Sequence, residues 1–395
     1  MECISGTALR AGLAFALGLT APAARAFDDF AIGADLSFLK QQEDAGKQFR
    51  DGVAKPALVI FKSHGYDWIR LRLFHTPAVL PNSLAYTLAS AKQAKALGYK
   101  FLLDFHYADT WADPGAQPAP EAWSGLSHAQ TVDSVYPYTR DVIARFRAEG
   151  ALPDMVQIGN EINNGMIWPD GKDNWNNQAD LLKAGARGVD SGRGDGPMPR
   201  IMLHIACGGD TAVTKWFFDN AVKSAVPFDV IGQSYYPLWQ GTTADLERNL
   251  AFMAGRYPKD IIVVETAFAP YPSGGSPFPL TDAGQVQYLQ ELDKIVRATP
   301  NGRGRGLMWW EPTGDAYLGT PRGLFDKQLN ARPALSVFDT RVAIRPIRSR
   351  SRTLTGSGWF WVEGDFPGFG LPAPGGVPDS RINMLGRRVF GFPAP

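Results

Sequence analysis

From about Phe30 to Trp310, this 395-residue chain alternates short apolar runs with stretches of helical periodicity. Eight runs read as buried strands: FAIGADLS, DWIRLRLF, KFLLDFHY, MVQIGNE, IMLHIA, FDVIGQSYY, IIVVETAF and GLMWWEP. Between them, Leu84, Leu88, Ala91 and Leu97 fall on one helical face, with Asn82 and Ser83 placed to cap it and Gly98 to stop it. Val135, Tyr138, Val142 and Phe146 form a second stripe, broken by Gly150 and Pro153, and Val286, Leu289, Leu292 and Val296 a third. Strands apolar on both faces and alternating with helices belong to a parallel sheet. Eight such units predict an α/β fold, a closed (β/α)8 TIM barrel, as a single domain over residues 27–340. The competing architecture, an open doubly wound sheet, would carry a glycine-rich phosphate turn after its first strand, and GADLS is not one.

The polar residues sit where such a barrel assembles its chemistry. Arg72, His106, Glu161, His204, Tyr236, Glu265 and Trp310 all fall at or just past the carboxyl ends of the expected strands. In MVQIGNEINNG the apolar strand ends abruptly in Asn160 and Glu161, and burying that carboxylate costs several kcal/mol, roughly, unless it is paired or hydrogen-bonded. Glu161 ends the fourth strand and Glu265 the seventh, positions that face each other across the mouth. Paired carboxylates flanking a cleft are the equipment of glycoside hydrolysis, one as proton donor and the other as nucleophile or base. Trp111, Trp123, Trp168, Trp175, Trp239, Trp309 and Trp310 fall mostly in loops after strands, where flat rings can pack on sugar rings. His106, Asn160, His204 and Arg72 can bind hydroxyls or orient the carboxylates. A third carboxylate, Glu311, reads as a structural pairing group.

Composition narrows the reading. A chain 45% hydrophobic and 20% charged has ample material for a core. Its net charge of +1 suggests neither nucleic acid nor an anionic membrane as a partner. Arg10 precedes the apolar run AGLAFALGL, and Ala24-Arg25-Ala26 offers a small-residue cleavage site. Residues 1–26 therefore read as a signal peptide, with Phe27 the first residue of a secreted or periplasmic protein. Cys207 then stands alone, so no disulfide framework is expected. The histidines His64, His75, His106, His128 and His204 lack HxxxH or HxH spacing, and PDGKDN lacks the full calcium-loop pattern, so neither metal nor cofactor is assigned. A monomer acting on a polysaccharide is expected.

The motifs GADLSFL, IRLRLFHTP, LLDFHYADTWADPGAQ, AWSGLS, VQIGNEINNGMIWPDG, SYYPLWQGT, VVETAF and WWEP, in this order, closely resemble glycoside hydrolase family 53, the endo-β-1,4-galactanases. The likeness runs from about Phe27 to Phe338. It implies a (β/α)8 barrel, a retaining mechanism, and endo cleavage of the β-1,4-galactan of type I arabinogalactan, a pectin side chain. By motif, it implies Glu161 as acid/base and Glu265 as nucleophile, with Asn160 on the hydroxyl beside the reacting carbon. Arg72 and Tyr236 would hold the nucleophile ionised and oriented, and His106, Asp109, Trp111, His204 and Trp310 would shape the sugar subsites. The rival readings are a retaining glycanase for mannan or glucan and a non-catalytic carbohydrate-binding barrel. From Arg341 onward the chain is rich in arginine, glycine and proline, departs from the family, and reads as an irregular, flexible tail over residues 341–395.

Overall fold

The computed structural model describes residues 30–78, 81–237, 239–268, 277–314 and 322–339 with their side chains. The expected signal peptide and Phe27 lie outside the described residues. Every expected strand forms: β1 Ala31–Asp35, β2 Trp68–Leu73, β3 Lys100–Phe105, β4 Met155–Ile158, β5 Arg200–Ile205, β6 Val230–Ser234, β7 Asp260–Thr266 and β8 Gly304–Trp309. They pair in parallel in chain order and close, β8 on β1, into the barrel.

Helices α1 Leu39–Asp44 and α2 Ala57–Ser63 both lie between β1 and β2, and α3 Leu84–Ala96, α4 His128–Ala148, α5 Trp175–Arg193, α6 Thr211–Lys223, α7 Thr243–Arg256 and α8 Asp282–Ala298 follow β2 to β7 in turn. Their starts follow from short polar side chains that accept orphan backbone N–H groups: Ser83 from Tyr86, Asp210 from Ala212 and Val213, Thr281 from Gly284. Ser127 with Gln130 and Thr242 with Asp245 complete reciprocal capping boxes. Most of the expected stripe residues are buried, including Val135, Val142 and Phe146 on α4 and Leu289, Leu292 and Val296 on α8, but Leu97 is exposed because α3 ends one residue before it. No helix among the described residues is long and apolar enough to cross a membrane.

Inside the barrel, strand alternation separates two layers. Ala31, Trp68, Leu102, Met155, Met202, Val230, Ile262, Val264 and Met308 form an apolar cluster distinct from the core between sheet and helices. Two residues further along the same strands, on the same inward face, come Arg70, Asp104, Gln157 and His204, all buried. The floor is thus oily and the upper half charged. Strand β7 departs from plain alternation: Val263 pairs with Gln233 but the next residue of β6, Ser234, pairs with Glu265. The extra residue is a bulge. Ile262 and Val264 fill the apolar floor, and the bulge lets Glu265 follow Val264 toward the interior rather than toward the helices.

Residues 343–395 group as a compact unit separate from 1–342. Within it, strands Trp359–Val362, Ser380–Ile382 and Arg388–Pro393 form an antiparallel sheet with the last strand in the centre. The rest of the segment expected to be irregular lies outside the described residues.

Gly33 on β1 faces this floor, and a Cβ there would sit 2.7 Å from Met308 Cγ and 3.2 Å from Trp68 Cβ. Overpacking of this kind costs about 1–3 kcal/mol. Gly33→Ala is predicted to lower the denaturant midpoint accordingly; an unchanged midpoint would show that the floor has room to spare.

Candidate active site

One guanidinium organises the upper layer. Arg70 Nε donates to Gln157 Oε1 (3.2 Å), Nη1 to Asp35 Oδ2 (2.8 Å) and Glu265 Oε2 (3.2 Å), and Nη2 to Asn160 Oδ1 (2.7 Å). Asp104 Oδ2 lies 2.9 Å from Nη2. A buried cation with hydrogen-bonding partners on both nitrogens and on Nε is the arrangement that makes charge burial tolerable. Burial alone would raise the Asp104 carboxyl, but Arg70 and His106 hold it down at about 2. Arg70 itself stays charged: burial works against the cation, and Asp104, Asp35 and Glu265 outweigh it.

Glu265 takes a second bond, the phenol of Tyr236 donating to Oε1 at 2.7 Å. Tyr236 is therefore in contact with the carboxylate that the resemblance would have it orient. The arginine on Glu265, however, is Arg70 and not Arg72. Both point inward from β2, but Arg70 lies one pleat deeper, level with the carboxylate that the β7 bulge delivers. Arg72 reaches Asp35 Oδ1 (3.2 Å) and Glu311, with its guanidinium over the rings of Phe38 and Trp111 (4.9 and 4.3 Å to the centroids). Glu311 is thus paired, as expected; burial pushes its carboxyl up while Arg72 pulls it down.

Glu161 follows β4 with a left-handed backbone (φ 48°), a conformation uncommon outside glycine and frequent at functional sites. Gln117 holds that backbone from the loop after β3, its amide donating to the carbonyls of Asn160 (2.7 Å) and Glu161 (3.3 Å). On the other side, the Glu161 N–H donates to His204 Nδ1 (3.4 Å), while His204 Nε2 bonds Ser234 Oγ (2.8 Å). Burial and Arg70 hold His204 well below the usual imidazole range, so it is neutral. With Nδ1 accepting, the proton sits on Nε2 and points at Ser234.

One oxygen each of Glu161 and Glu265 and a ring nitrogen of His204 lie within 4.8 Å of one another. These are the atoms that would present themselves to a cation, although both His204 nitrogens are already hydrogen-bonded. Burial raises the Glu161 carboxyl, and the Glu265 charge raises it further. Burial raises Glu265 too, but Arg70 and Tyr236 oppose that rise. Of the pair, Glu265 is the better placed to ionise and Glu161 to keep its proton.

The carboxylates open into a cleft of about 510 Å³. Asn160, His106, Trp111, Tyr236, Trp310 and Arg72 line it, as do Trp239 and Arg322, the latter beside both Trp239 and Trp310. Asn160 uses one amide hydrogen on the Ala112 carbonyl (2.8 Å), and His106 accepts from the Ala112 N–H (3.1 Å). His204 lies fully buried behind Asn160. Asp109 stands apart from these contacts: its carboxylate accepts the backbone N–H groups of Thr76 and Glu121, both at 2.8 Å, tying the loops after β2 and β3 together. Of the other tryptophans, Trp309 ends β8, buried with its indole on the Arg322 carbonyl, and Trp123 packs on His75 and Tyr138. Arg70, Asp35, Asp104, Gln157, Ser234 and Gln117 were not singled out from sequence. The signal for most of them was there: a polar residue at an inward position of an otherwise apolar strand, as in IRLRL, LLDF and MVQI.

A parallel barrel whose strand ends oppose two buried acids beneath an aromatic-walled cleft has the equipment of a glycoside hydrolase. Residues 31–338 match the model of glycosyl hydrolase family 53, and the chain belongs to that family. The probable arabinogalactan endo-beta-1,4-galactanase A of Neosartorya fischeri is 37% identical over 333 residues, 78% of this chain and 92% of its own length. The arabinogalactan endo-beta-1,4-galactanase of Humicola insolens is 35% identical over 78% of this chain and 98% of its own. Among solved structures, a fungal beta-1,4-galactanase is similar with a TM-score of 0.74 and 34% identity, over 78% of this chain and 99% of its own.

A carboxyl whose folded-state pKa is raised contributes stability that is fully present below its unfolded value and is lost as pH rises through the folded value. Glu161→Gln removes the charge while keeping the shape. The variant is predicted to match the wild type in melting temperature near pH 4 and to exceed it at pH 8 by about 2–4 °C for each kcal/mol recovered. Equal melting temperatures at both pH values would contradict the raised Glu161 pKa.

Proposed function

We propose that the protein is a retaining endo-β-1,4-galactanase acting by double displacement on the galactan of type I arabinogalactan. The observation that carries the retaining mechanism is the opposition of Glu161 and Glu265, one oxygen of each within 4.8 Å, with Arg70 and Tyr236 bonded to the carboxylate of Glu265 and not to that of Glu161. Retaining enzymes hold their acids about 5–5.5 Å apart, whereas inverting enzymes leave about 6.5–9.5 Å for a water. The galactan specificity rests on what the family relatives are named for.

In the first step Glu161 protonates the departing glycosidic oxygen while ionised Glu265 attacks the anomeric carbon. In the second, Glu161, now a base, takes a proton from water as that water displaces Glu265. The amide hydrogen of Asn160 not used on Ala112 is the donor for the hydroxyl beside the reacting carbon. Trp111 and Trp310 supply flat apolar walls for the sugar faces. The apolar run and small-residue site of the amino-terminal segment support action outside the cytoplasm, in the periplasm or beyond.

Alanine variants with azide and an activated aryl β-galactoside test the roles. Removal of Glu265 is predicted to give α-galactosyl azide, by direct attack. Removal of Glu161 is predicted to give the β-azide, by interception of the covalent intermediate. Full activity in either variant would overturn the assignment. Reducing-sugar release from galactan, against mannan and glucan, tests the substrate.

A further inference from the structure

Outside the cleft, a pocket of about 170 Å³ lies among the loops that follow Glu161, lined by Asn163, Asn164, Asp173, Asn174, Trp175 and Trp216 among others. Trp216, on the outer ring in α6, is 52% exposed, unusual for the largest apolar side chain. Its ring meets that of Trp175 edge-on at 5.7 Å and 82°, and the Trp175 indole is tied to Ser224 Oγ at 2.8 Å. The platform is therefore held in place rather than loose. Asp173 and the Asn164 and Asn174 amides give its rim acceptors and donors suited to hydroxyl groups.

The pocket is joined to the cleft wall. Asn163 exchanges two hydrogen bonds with the Ala206 backbone, 3.1 and 2.8 Å, and Asn164 donates to the Pro114 carbonyl at 3.4 Å. Ala206 and Pro114 line the cleft. Because Glu161 protonates the leaving oxygen, the departing part of a bound chain lies on its side of the mouth. The loop that carries Glu161 runs from that side directly into the second pocket.

We infer that the pocket walled by Trp175 and Trp216 is a second saccharide-binding site, holding the departing portion of the same polysaccharide chain beyond the catalytic cleft. A sugar face packs on the exposed face of Trp216 while its hydroxyls meet Asp173 and the two amides. A long chain gains this contact and a short substrate does not reach it. This inference rests on the polysaccharide-hydrolase reading above, whatever the sugar.

The test compares Trp216→Ala and Trp216→Phe with the wild type, as full chains, on polymeric galactan and on an aryl β-galactoside. For Trp216→Ala, KM on the polymer is expected to rise about 3- to 10-fold, the loss of about one aromatic contact. The kcat on polymer and all constants on the short substrate stay unchanged, and Trp216→Phe keeps most of the affinity. Retardation of the intact protein in a galactan-containing gel should weaken in parallel. An unchanged polymer KM and retardation, or an equal loss on the short substrate, would overturn the inference. Failure of the galactanase reading is seen separately, as a wild type that cleaves mannan or glucan instead; the same comparison is then made on that polymer.

Discussion

The charged upper half of this barrel depends on Arg70. A guanidinium sealed inside a protein is tolerable only when its donors are satisfied, and here four strands contribute to that: Asp35 from β1, Asp104 from β3, Gln157 from β4 with Asn160 just past its end, and Glu265 from β7, around an arginine from β2. The dependence is mutual. Removing Arg70 would leave three carboxylates facing one another in a low-dielectric interior, and removing one of them would leave part of the cation unanswered. The same group that ties the strands together at their upper ends also sets the electrostatics of the proposed chemistry, because it touches Glu265 and not Glu161.

That asymmetry is reinforced from outside the barrel. Glu265 enters the interior through an irregularity of β7 and receives Tyr236, so it is anchored at both oxygens. Glu161 is instead held through its backbone, with Gln117 on its carbonyl, His204 at its N–H, and a left-handed conformation that costs of order 1 kcal/mol or more. Its carboxyl is left comparatively free of cationic partners, buried, and near a like charge. The proposed roles fit these environments: an acid/base that releases and recovers a proton is served by the one, and a nucleophile by the other.

Much of this was legible in the sequence because the strands are short and apolar and the polar residues cluster at their ends. The eight runs, their order and the pairing of Glu161 with Glu265 follow from periodicity and position. What could not be read was depth. Arg70 and Arg72 share one face of β2 in IRLRL, and nothing local says which is level with Glu265. That is decided by a single extra residue in β7, a property of sheet register rather than of composition. Asp109 sits in the most distinctive motif of the chain, DFHYADTWADPG, yet its carboxylate serves two backbone N–H groups at a loop junction. Motif likeness places a residue near a site; it does not say which way the side chain is used.

Arg70, by this reading of the contacts, divides the two acids into one ionised and one protonated group. Carboxyl carbon-13 NMR titration of glutamate-labelled protein, with Glu161→Gln and Glu265→Gln used for assignment, reads this directly. Glu265 is expected to lose its proton at lower pH than Glu161 in the wild type, and Glu265→Gln, by removing the neighbouring charge, is expected to lower the pKa of Glu161. A Glu161 that ionises first, or one indifferent to the loss of Glu265, would contradict it.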